Sequence, residues 1–232
     1  MSGAGPAPKG ESSQALDRGI RLLELLAATS GSAGLTITEL AAALGVGRPV
    51  VYRLVTTLEQ HRLVARAADG RVRLALGISR LASAVTPVVR AEARPVLREL
   101  ADAVGATAHL TIAEGDEALA LVVVEPSWTD VHVAYRSGAR HGLDQGAAGR
   151  AILAGRAGRS GPVSTDGELQ AGAHGLALAL AVAGGAGGAQ GASDAGPCVE
   201  ASVGVVSLEP LDARVVGPRL ERAAAALRAV IR

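Results

Sequence analysis

The sequence has very few aromatic and sulfur-containing residues. Its 232 residues include no Phe, one Trp, two Tyr, one Met and one Cys. A single Cys excludes an intrachain disulfide. Hydrophobic residues still make up 49% of the chain, so we expect a full core built from Val, Leu, Ile and Ala.

Signals for export and membrane insertion are also missing. The first residues, MSGAGPAPKGESS, lack the apolar segment of a secretory signal, and residues 1–12 have the composition of a disordered tail. The apolar run at 176–183 is too short to cross a bilayer and is followed by glycines. We therefore expect a cytoplasmic protein with no membrane partner.

Net charge is low but unevenly distributed. The chain carries a formal charge of +1, which excludes a generally basic nucleic-acid coat. Residues 1–80 hold 10 Lys and Arg against 6 Asp and Glu, whereas residues 81–232 hold 13 against 16. A basic first part followed by a slightly acidic remainder is typical of a DNA-reading domain joined to a domain with another role.

The stretch from Thr36 to Arg73 has the pattern of two short helices followed by a hairpin. Thr36 and Glu39 match a capping box, which predicts a helix start. Gly45 and Gly47 predict a turn, and Pro49 is tolerated in the first turn of the next helix. Helical spacing predicts that four residues of this second helix face inward, namely Val51, Leu54, Val55 and Leu58.

Arginines and hydroxyls mark the outward side of the second helix and the hairpin. A helix-turn-helix places such a helix in the DNA major groove, where Arg can pair with guanine. Asp69-Gly70 between LVARA and RVRLA predicts a hairpin wing near phosphates or a narrow minor groove. The alternative is a solvated face whose arginines pair with Glu39 or Glu59. The predicted DNA-binding residues are Thr38, Arg48, Val50, Tyr52, Arg53, Thr57, Arg66, Arg71 and Arg73.

Apolar spacing predicts helices on both sides of this stretch. The first covers residues 13–29, with an apolar side made of Leu16, Ile20, Leu23 and Ala27, flanked by Leu22 and Leu26. Residues 77–94 predict a linker helix that Pro87 interrupts, and a second helix then ends at Gly105. Pro218 is expected to open a terminal helix whose apolar face contains Leu220, Ala223, Ala224, Leu227 and Ile231.

Strand patterns dominate the residues between the linker and the terminal helix. The candidate strands are ATAHLTIA, ALALVVVE, VHVAYR, GLALALAVA and CVEASVGVVSL, the first two joined by a turn at 114–116. HGLDQGAAGRAILAG predicts a glycine loop entering a short helix. Residues 155–175 are expected to be irregular, and GGAGGAQGASDAGP needs no fixed structure. These elements predict an α+β domain around a mainly antiparallel sheet.

The pieces together resemble the IclR family of bacterial transcription regulators. The resemblance is carried by DRGIRLLELLA, by ITELAAALGV with RPVVYRLVTTLEQHRLVAR, and by DGRVRLALG. It implies a winged helix-turn-helix at 13–76, joined by the linker helix at 77–94 to a GAF-like effector domain at 95–232. It further implies double-stranded DNA as a partner, a homodimer or homotetramer, and repression more often than activation.

The same resemblance implies a small organic effector, often a carboxylate, at the loop QGAAGRAIL. A glycine loop at a helix start favours anions. The effector-binding positions would be Gly146, Ala147, Ala148, Thr165, Gly175, Gly204 and Val206. The last four stand where family members can carry Asp, Cys or Ser, so few polar groups remain to hold a carboxylate. Three alternatives stay open: a larger or more apolar ligand, a vestigial pocket used only for oligomerisation, or a different alignment of the segment.

Motifs for catalysis or metal binding are not found. Four histidines, His109, His132, His141 and His174, lack metal-ligand spacing, and His109 and His132 are predicted as core or edge residues. Cys198 is predicted as a small buried hydrophobe rather than a redox sensor. Because there is also no nucleophile elbow or phosphate loop, we predict no cofactor, no metal and no enzymatic activity. An enzyme with a partner-binding helix-turn-helix is the less favoured alternative.

Overall fold

The computed structural model describes residues 13–29, 34–129, 133, 135–181 and 200–231. The chain divides into two compact units, residues 1–84 (unit 1) and residues 85–232 (unit 2). Each unit has a hydrophobic core of its own. The predicted tail at 1–12, the predicted loop GGAGGAQGASDAGP, His132 and Cys198 lie outside the described residues.

Within its described residues, unit 1 contains three complete helices, a two-stranded hairpin and the first residues of a fourth helix that continues into unit 2. The helices are α1 (Gln14–Ala28), α2 (Ile37–Leu44) and α3 (Arg48–Gln60), and the strands are β1 (Val64–Arg66) and β2 (Val72–Leu74). The strands pair antiparallel, and Leu35 adds an isolated bridge to Val72. This arrangement is the predicted winged helix-turn-helix.

Local chemistry sets the boundaries of α2 and α3. The Glu39 amide donates to Thr36 Oγ1 at 3.2 Å, and the Thr36 amide donates to Glu39 Oε2 at 2.7 Å, which completes the capping box. Gly45 ends α2 with a φ of 64°, a conformation that costs glycine little. Helix α3 begins one residue before Pro49, as predicted.

The apolar side of α1 differs from the prediction. The structure buries Gly19, Leu22 and Leu26, whereas Leu16 and Ile20 are 64% and 47% exposed. Two overlapping apolar stripes run along this helix, and periodicity weighs them equally. The stripe that packs is the one facing the buried residues of α2, α3 and the wing.

Helix α4 (Gly77–Val104) is continuous, so the predicted interruption at Pro87 is wrong. Pro87 and Pro95 both lie inside it, although each removes one helical hydrogen bond. The C-terminal part of α4 buries Leu97 and Leu100 in the core of unit 2, and this packing offsets the local cost. The helix ends at Gly105, whose φ is 72°.

Unit 2 is built on a fully antiparallel sheet with strand order β5-β4-β3-β8-β7-β6. Its strands are β3 (Thr107–Glu114), β4 (Glu117–Val124), β5 (Arg140–Gly142), β6 (Val163–Asp166), β7 (His174–Ala181) and β8 (Glu200–Ser207). Two helices follow strands of this sheet, α5 (Gly146–Arg156) and α6 (Ala213–Val230). The observed architecture confirms the predicted α+β class.

The two faces of this sheet differ sharply in chemistry. Alternation along β3 sends Ala108 and Leu110 into the core with α4 and α6. The opposite face of the same strand carries Thr107, His109 and Thr111, which are all buried. Helix α5 covers this second face, where its alanines pack against Ala177 of β7. The small and polar residues on the α5 side leave room for a cavity.

Several expectations for unit 2 need correction. Residues 155–175 are not wholly irregular, because β6 occupies part of them. Strand β5 was missed, since three residues carry too little alternation to detect. Half of the predicted strand VHVAYR lies outside the described residues, and the structure assigns no strand to the other half, Val133, Tyr135 and Arg136.

The terminal helix starts earlier than predicted. Helix α6 begins at Ala213, because the Asp212 side chain caps it by accepting from the Arg214 amide at 2.8 Å. Pro218 therefore lies inside the helix rather than opening it. The predicted apolar face is buried, including Leu220, Ala224 and Leu227. Across the described ranges, no helix is both long and apolar enough to span a bilayer.

Candidate functional site

The outward side of α3 is exposed along its whole length. Arg48, Tyr52, Arg53 and Thr57 are exposed, whereas Val51 and Val55 on the opposite side are completely buried. Val50 is only half-buried. Thr38, on α2, is also exposed. The structure therefore presents the predicted α3 residues together on one accessible helix face.

The two arginines of this face have no carboxylate partner among the residues the structure describes. The alternative, in which helix arginines pair with Glu39 or Glu59, does not hold for Arg48 or Arg53. Thr57 is less available than predicted, because its hydroxyl donates to the Arg53 carbonyl at 3.0 Å. Arg48 and Arg53 thus keep their full hydrogen-bonding capacity at the surface.

Arg66 joins the wing to α3. Its Nη2 lies 3.5 Å from Glu59 Oε2, and its guanidinium carbon lies 5.4 Å from the centre of the Tyr52 ring. A cation above an aromatic face is attracted by the ring quadrupole. This contact orients both Arg66 and Tyr52 at the junction between α3 and the wing.

Arg71 ties the wing to the start of α2. Its Nη1 donates to the Gly34 carbonyl at 3.0 Å and to Glu39 Oε2 at 3.3 Å. Hydrogen bonds from the backbone and side chain of Thr36, and then the charge of Arg71, hold the pKa of Glu39 below its usual value. Arg73, two residues on, is exposed. Of the wing arginines predicted for DNA contact, Arg71 thus has an internal structural role.

We expect Arg71→Ala to destabilise unit 1, whereas Arg73→Ala should not. Losing the hydrogen bond to Gly34 should lower the melting temperature of unit 1 by roughly 4–8 °C. Circular dichroism melting curves of the two variants provide the measurement. Equal melting temperatures for both variants would show that the Arg71 contacts contribute nothing to stability.

Six of the seven predicted effector positions line one cavity in unit 2. It has a volume of about 230 Å³ and lies between α5, the sheet and the loop at 167–172. The six are Gly146, Ala147, Ala148, Thr165, Gly175 and Val206. The seventh, Gly204, lies beside this wall, where a Cβ would come within 2.5 Å of His109 Cε1. Gly204 therefore makes room for the histidine ring.

Three ring side chains that were not predicted as site residues form a polar wall of the cavity. They are His109, Tyr135 and His141. His109 Nδ1 lies 3.1 Å from Thr111 Oγ1, and its ring meets Tyr135 edge to face at 5.4 Å. The available signal was alternation, because His109 shares its strand face with Thr107 and Thr111.

The hydrogen bonds of His141 assign its tautomer. Its Nδ1 lies 3.0 Å from the Gly142 carbonyl, which can only accept, so Nδ1 carries the proton. Its Nε2 then accepts from the Tyr135 hydroxyl at 3.4 Å. Tyr135 also lines the cavity, so this hydrogen-bonded pair forms part of its wall.

Burial keeps two of these side chains, His109 and Tyr135, uncharged near neutral pH. Desolvation, with a smaller contribution from His141, lowers the pKa of His109 to about 4. Desolvation likewise raises the pKa of Tyr135 above its ordinary value. Both side chains are therefore neutral hydrogen-bonding groups at pH 7.

Because His109 is buried and neutral, we expect the free energy of unfolding of unit 2 to fall in acid. Unfolded His109 binds a proton below pH 6.5, whereas the folded protein binds it only below about pH 4. The unfolded state therefore binds more protons in this window, so stability falls as pH falls from 6.5 to 4, by up to about 1.4 kcal/mol per pH unit. Denaturant unfolding across pH measures the slope.

His109→Gln provides the control for this pH dependence. The variant keeps His141 and every carboxylate. The difference between its slope of unfolding free energy against pH and that of the unaltered protein therefore reports His109 alone. We expect a flatter profile for the variant between pH 6.5 and 4. Parallel profiles would contradict the buried, neutral state of His109.

The start of α5 is already occupied by a carboxylate of the chain itself. The Gly146 amide donates to Glu168 Oε2 at 2.9 Å, and Arg150 Nε lies 3.0 Å from the same oxygen. The next residue, Leu169, packs so closely that a Cβ on Gly146 would lie 2.5 Å from Leu169 Cδ1. The sequence resemblance had assigned this helix start to a ligand.

Models of one protein family match both units of the chain. The IclR helix-turn-helix domain matches residues 15–68, and the bacterial transcriptional regulator IclR C-terminal domain matches residues 81–160. Together the two matches cover more than half of the sequence.

Curated relatives agree with this assignment. The chain is 33% identical over 145 residues to the HTH-type transcriptional regulator BhcR of Paracoccus denitrificans, covering 61% of this chain and 50% of the relative. It is 28% identical over 155 residues to the transcriptional repressor IclR of Escherichia coli, covering 64% of this chain and 55% of the relative. The chain thus spans about half the length of the curated relatives it matches.

Solved structures share the fold. A putative IclR transcriptional regulator from Silicibacter sp. TM1040 has a TM-score of 0.52 at 21% identity, covering 94% of this chain and 96% of that one. An IclR transcriptional regulator from Alicyclobacillus acidocaldarius has a TM-score of 0.51 at 19% identity, covering 95% and 100%. Because family models match both units and the fold is that of solved members, the chain belongs to the IclR family of bacterial transcriptional regulators.

Proposed function

We propose that the protein is a sequence-specific DNA-binding repressor whose affinity for DNA is modulated by a small molecule bound in unit 2. Repression is the direction named for relatives from Escherichia coli and Salmonella typhimurium. The observation that carries the DNA-binding role is the exposed face of α3 with its two unpaired arginines. Such a helix can enter the major groove, where guanidinium groups read guanine edges.

The remaining α3 residues have supporting roles in this proposal. Tyr52 is held by Arg66, and its ring can contact a thymine methyl group. The half-buried Val50 side chain can make the same kind of apolar contact. Thr57 keeps only its acceptor capacity towards bases or bridging water, and Thr38 on α2 contacts phosphate. These contacts depend on α3 being the helix that enters the groove.

The wing is proposed to contact the DNA backbone through Arg66 and Arg73. Both are exposed, and phosphate contacts position a protein on DNA without reading its sequence. Arg71 supports the wing from within, because its guanidinium is engaged by Gly34 and Glu39. We therefore assign Arg71 a positioning role.

Two copies of the chain are proposed to act together on DNA, as a homodimer or a homotetramer. Paired helix-turn-helix units dock on half-sites about 10 base pairs apart or at multiples of that spacing. A ligand in unit 2 changes DNA affinity only by as much as it favours one arrangement of the recognition helices over another. The cavity of about 230 Å³ supplies a place for such a ligand.

Recovery of genomic DNA fragments bound by the purified protein tests the proposal. We expect a shared, two-fold symmetric motif bound at least 1000-fold more tightly than scrambled DNA, with affinity falling steeply as salt rises. Equal affinity for all fragments would contradict sequence-specific regulation. A transcription assay from a recovered promoter then distinguishes repression from activation.

A further inference from the structure

We propose that Glu168 is a built-in occupant of the anion site at the start of α5. The cavity accordingly takes an uncharged molecule bearing hydroxyl or carbonyl groups rather than a carboxylate. This inference rests on the proposed ligand-binding role of unit 2 and is independent of DNA binding. Its evidence comes from the helix start, from the cations around the cavity and from the polar wall at His109.

The helix start is satisfied internally. Helix α5 has 11 residues, and its first amides carry the partial positive charge that attracts anions. Glu168 accepts from the Gly146 amide and pairs with Arg150 through one oxygen. A ligand carboxylate would have to displace a tethered carboxylate, which has a high effective concentration. It would also leave Glu168 without its partners beside a second negative charge.

The loop that carries Glu168 is packed onto the helix start. A Cβ on Gly146 would press on Leu169, and the φ of 70° at Gly146 also favours glycine. Leu169 and Gln170 both line the cavity. The occupied helix start is therefore part of the cavity wall and not a separate surface feature.

The cation that lines the cavity is already neutralised. Arg140 pairs with Glu114 through Nη2 and with Glu117 through Nη1, the latter at 3.1 Å. Arg150, near the helix start, is paired with Glu168. Within the described part of unit 2, no unpaired arginine or lysine lines this cavity to balance a ligand carboxylate. Burying such a charge without a partner is costly.

The part of the cavity wall formed by His109, Thr165 and Tyr135 suits an uncharged ligand. His109 is only 4% exposed, and its Nε2 has no hydrogen-bond partner among the described residues although the ring lines the cavity. Thr165 and the Tyr135 oxygen add neutral hydrogen-bonding groups nearby. A hydroxyl or carbonyl can satisfy Nε2, whereas a carboxylate would accept one hydrogen bond and leave its charge unbalanced.

Two probes of equal shape and different charge test the proposal on the full chain. Benzamide and benzoate differ mainly in charge, and calorimetric titration measures their affinities. We expect benzamide to bind the unaltered protein at least tenfold more tightly than benzoate. In Glu168→Ala, benzoate should gain at least tenfold because the helix start and Arg150 become available, while benzamide should change less than threefold.

Further variants keep the test decisive. Glu168→Gln keeps the side-chain shape and removes the charge, so it should also favour benzoate even if Glu168→Ala folds poorly. Glu200→Ala removes a partly exposed carboxylate that pairs with Arg156, and should leave the preference unchanged. Benzoate binding as tightly as benzamide to the unaltered protein would overturn the proposal.

Failure of both probes to bind any variant would also overturn it and would favour a regulator whose cavity takes no ligand. DNA binding is measured separately, so a negative result here leaves the DNA-binding proposal standing. Conversely, a protein that fails to bind DNA can still show the predicted preference between the two probes.

Discussion

Replacing Arg48 and Arg53 together with Ala is expected to weaken specific DNA binding by two to three orders of magnitude. Each base-reading arginine contributes about 1–3 kcal/mol, and neither side chain contributes to the core of unit 1. The fold should therefore persist while affinity falls. Anisotropy titrations with a recovered genomic fragment, at several salt concentrations, measure the change.

A control with the same loss of charge is available on α6. Arg222→Ala with Arg228→Ala also removes two positive charges, but from unit 2. We expect that control to retain specific affinity within about threefold. The double α3 variant should no longer bind specific DNA more tightly than scrambled DNA. If its affinity for both kinds of DNA fell by the same factor, the two arginines would contact phosphates instead of bases. Unchanged affinity would remove α3 from the DNA interface.

Leu40→Ala should have the second largest effect, on the stability of unit 1. Leu40 is fully buried between α1, α3 and the wing. Deleting a buried leucine side chain to alanine costs about 2–5 kcal/mol, a large share of the stability of a small domain. Thermal unfolding should show an earlier transition of unit 1, and DNA affinity should fall with the folded fraction.

Leu76→Ala is the matched control, because it deletes the same atoms at a residue that is 86% exposed. Its effect should lie within about 0.5 kcal/mol of zero. If Leu40→Ala unfolded no earlier than Leu76→Ala, the assigned core of unit 1 would be wrong. A shift of the unit 2 transition in Leu40→Ala would show that the two units do not unfold independently.

Local features of unit 1 were predictable because their causes lie close together in sequence. Thr36 and Glu39 are three residues apart and form reciprocal hydrogen bonds, so a segment of four residues specifies the start of α2. Gly45 supplies the conformation that ends α2, and Asp69-Gly70 supplies the hairpin turn. In β3, period-two alternation similarly anticipates which residues enter the core.

The sequence did not predict which of two similar local patterns the fold uses, such as which face of a helix is buried. The buried side of α1 was mispredicted because Ile20 and Leu22 lie on neighbouring stripes of comparable hydrophobicity. The sequence predicts an interruption of the linker helix at Pro87, yet α4 continues because residues further along it pack into the core of unit 2. These outcomes depend on partners that are distant in the chain.

The sequence by itself determined the helix-turn-helix with its wing, the antiparallel α+β class, and the glycine-rich start of α5, because short-range hydrogen bonds and periodicity specify them. Only the tertiary structure decided that Arg71 supports the wing, that His109 and Tyr135 line the cavity, and that Glu168 occupies the helix start. Glu168 is 22 residues from Gly146 and Arg71 is 37 residues from Gly34. Contacts of such separation are created by folding, and no local pattern encodes them.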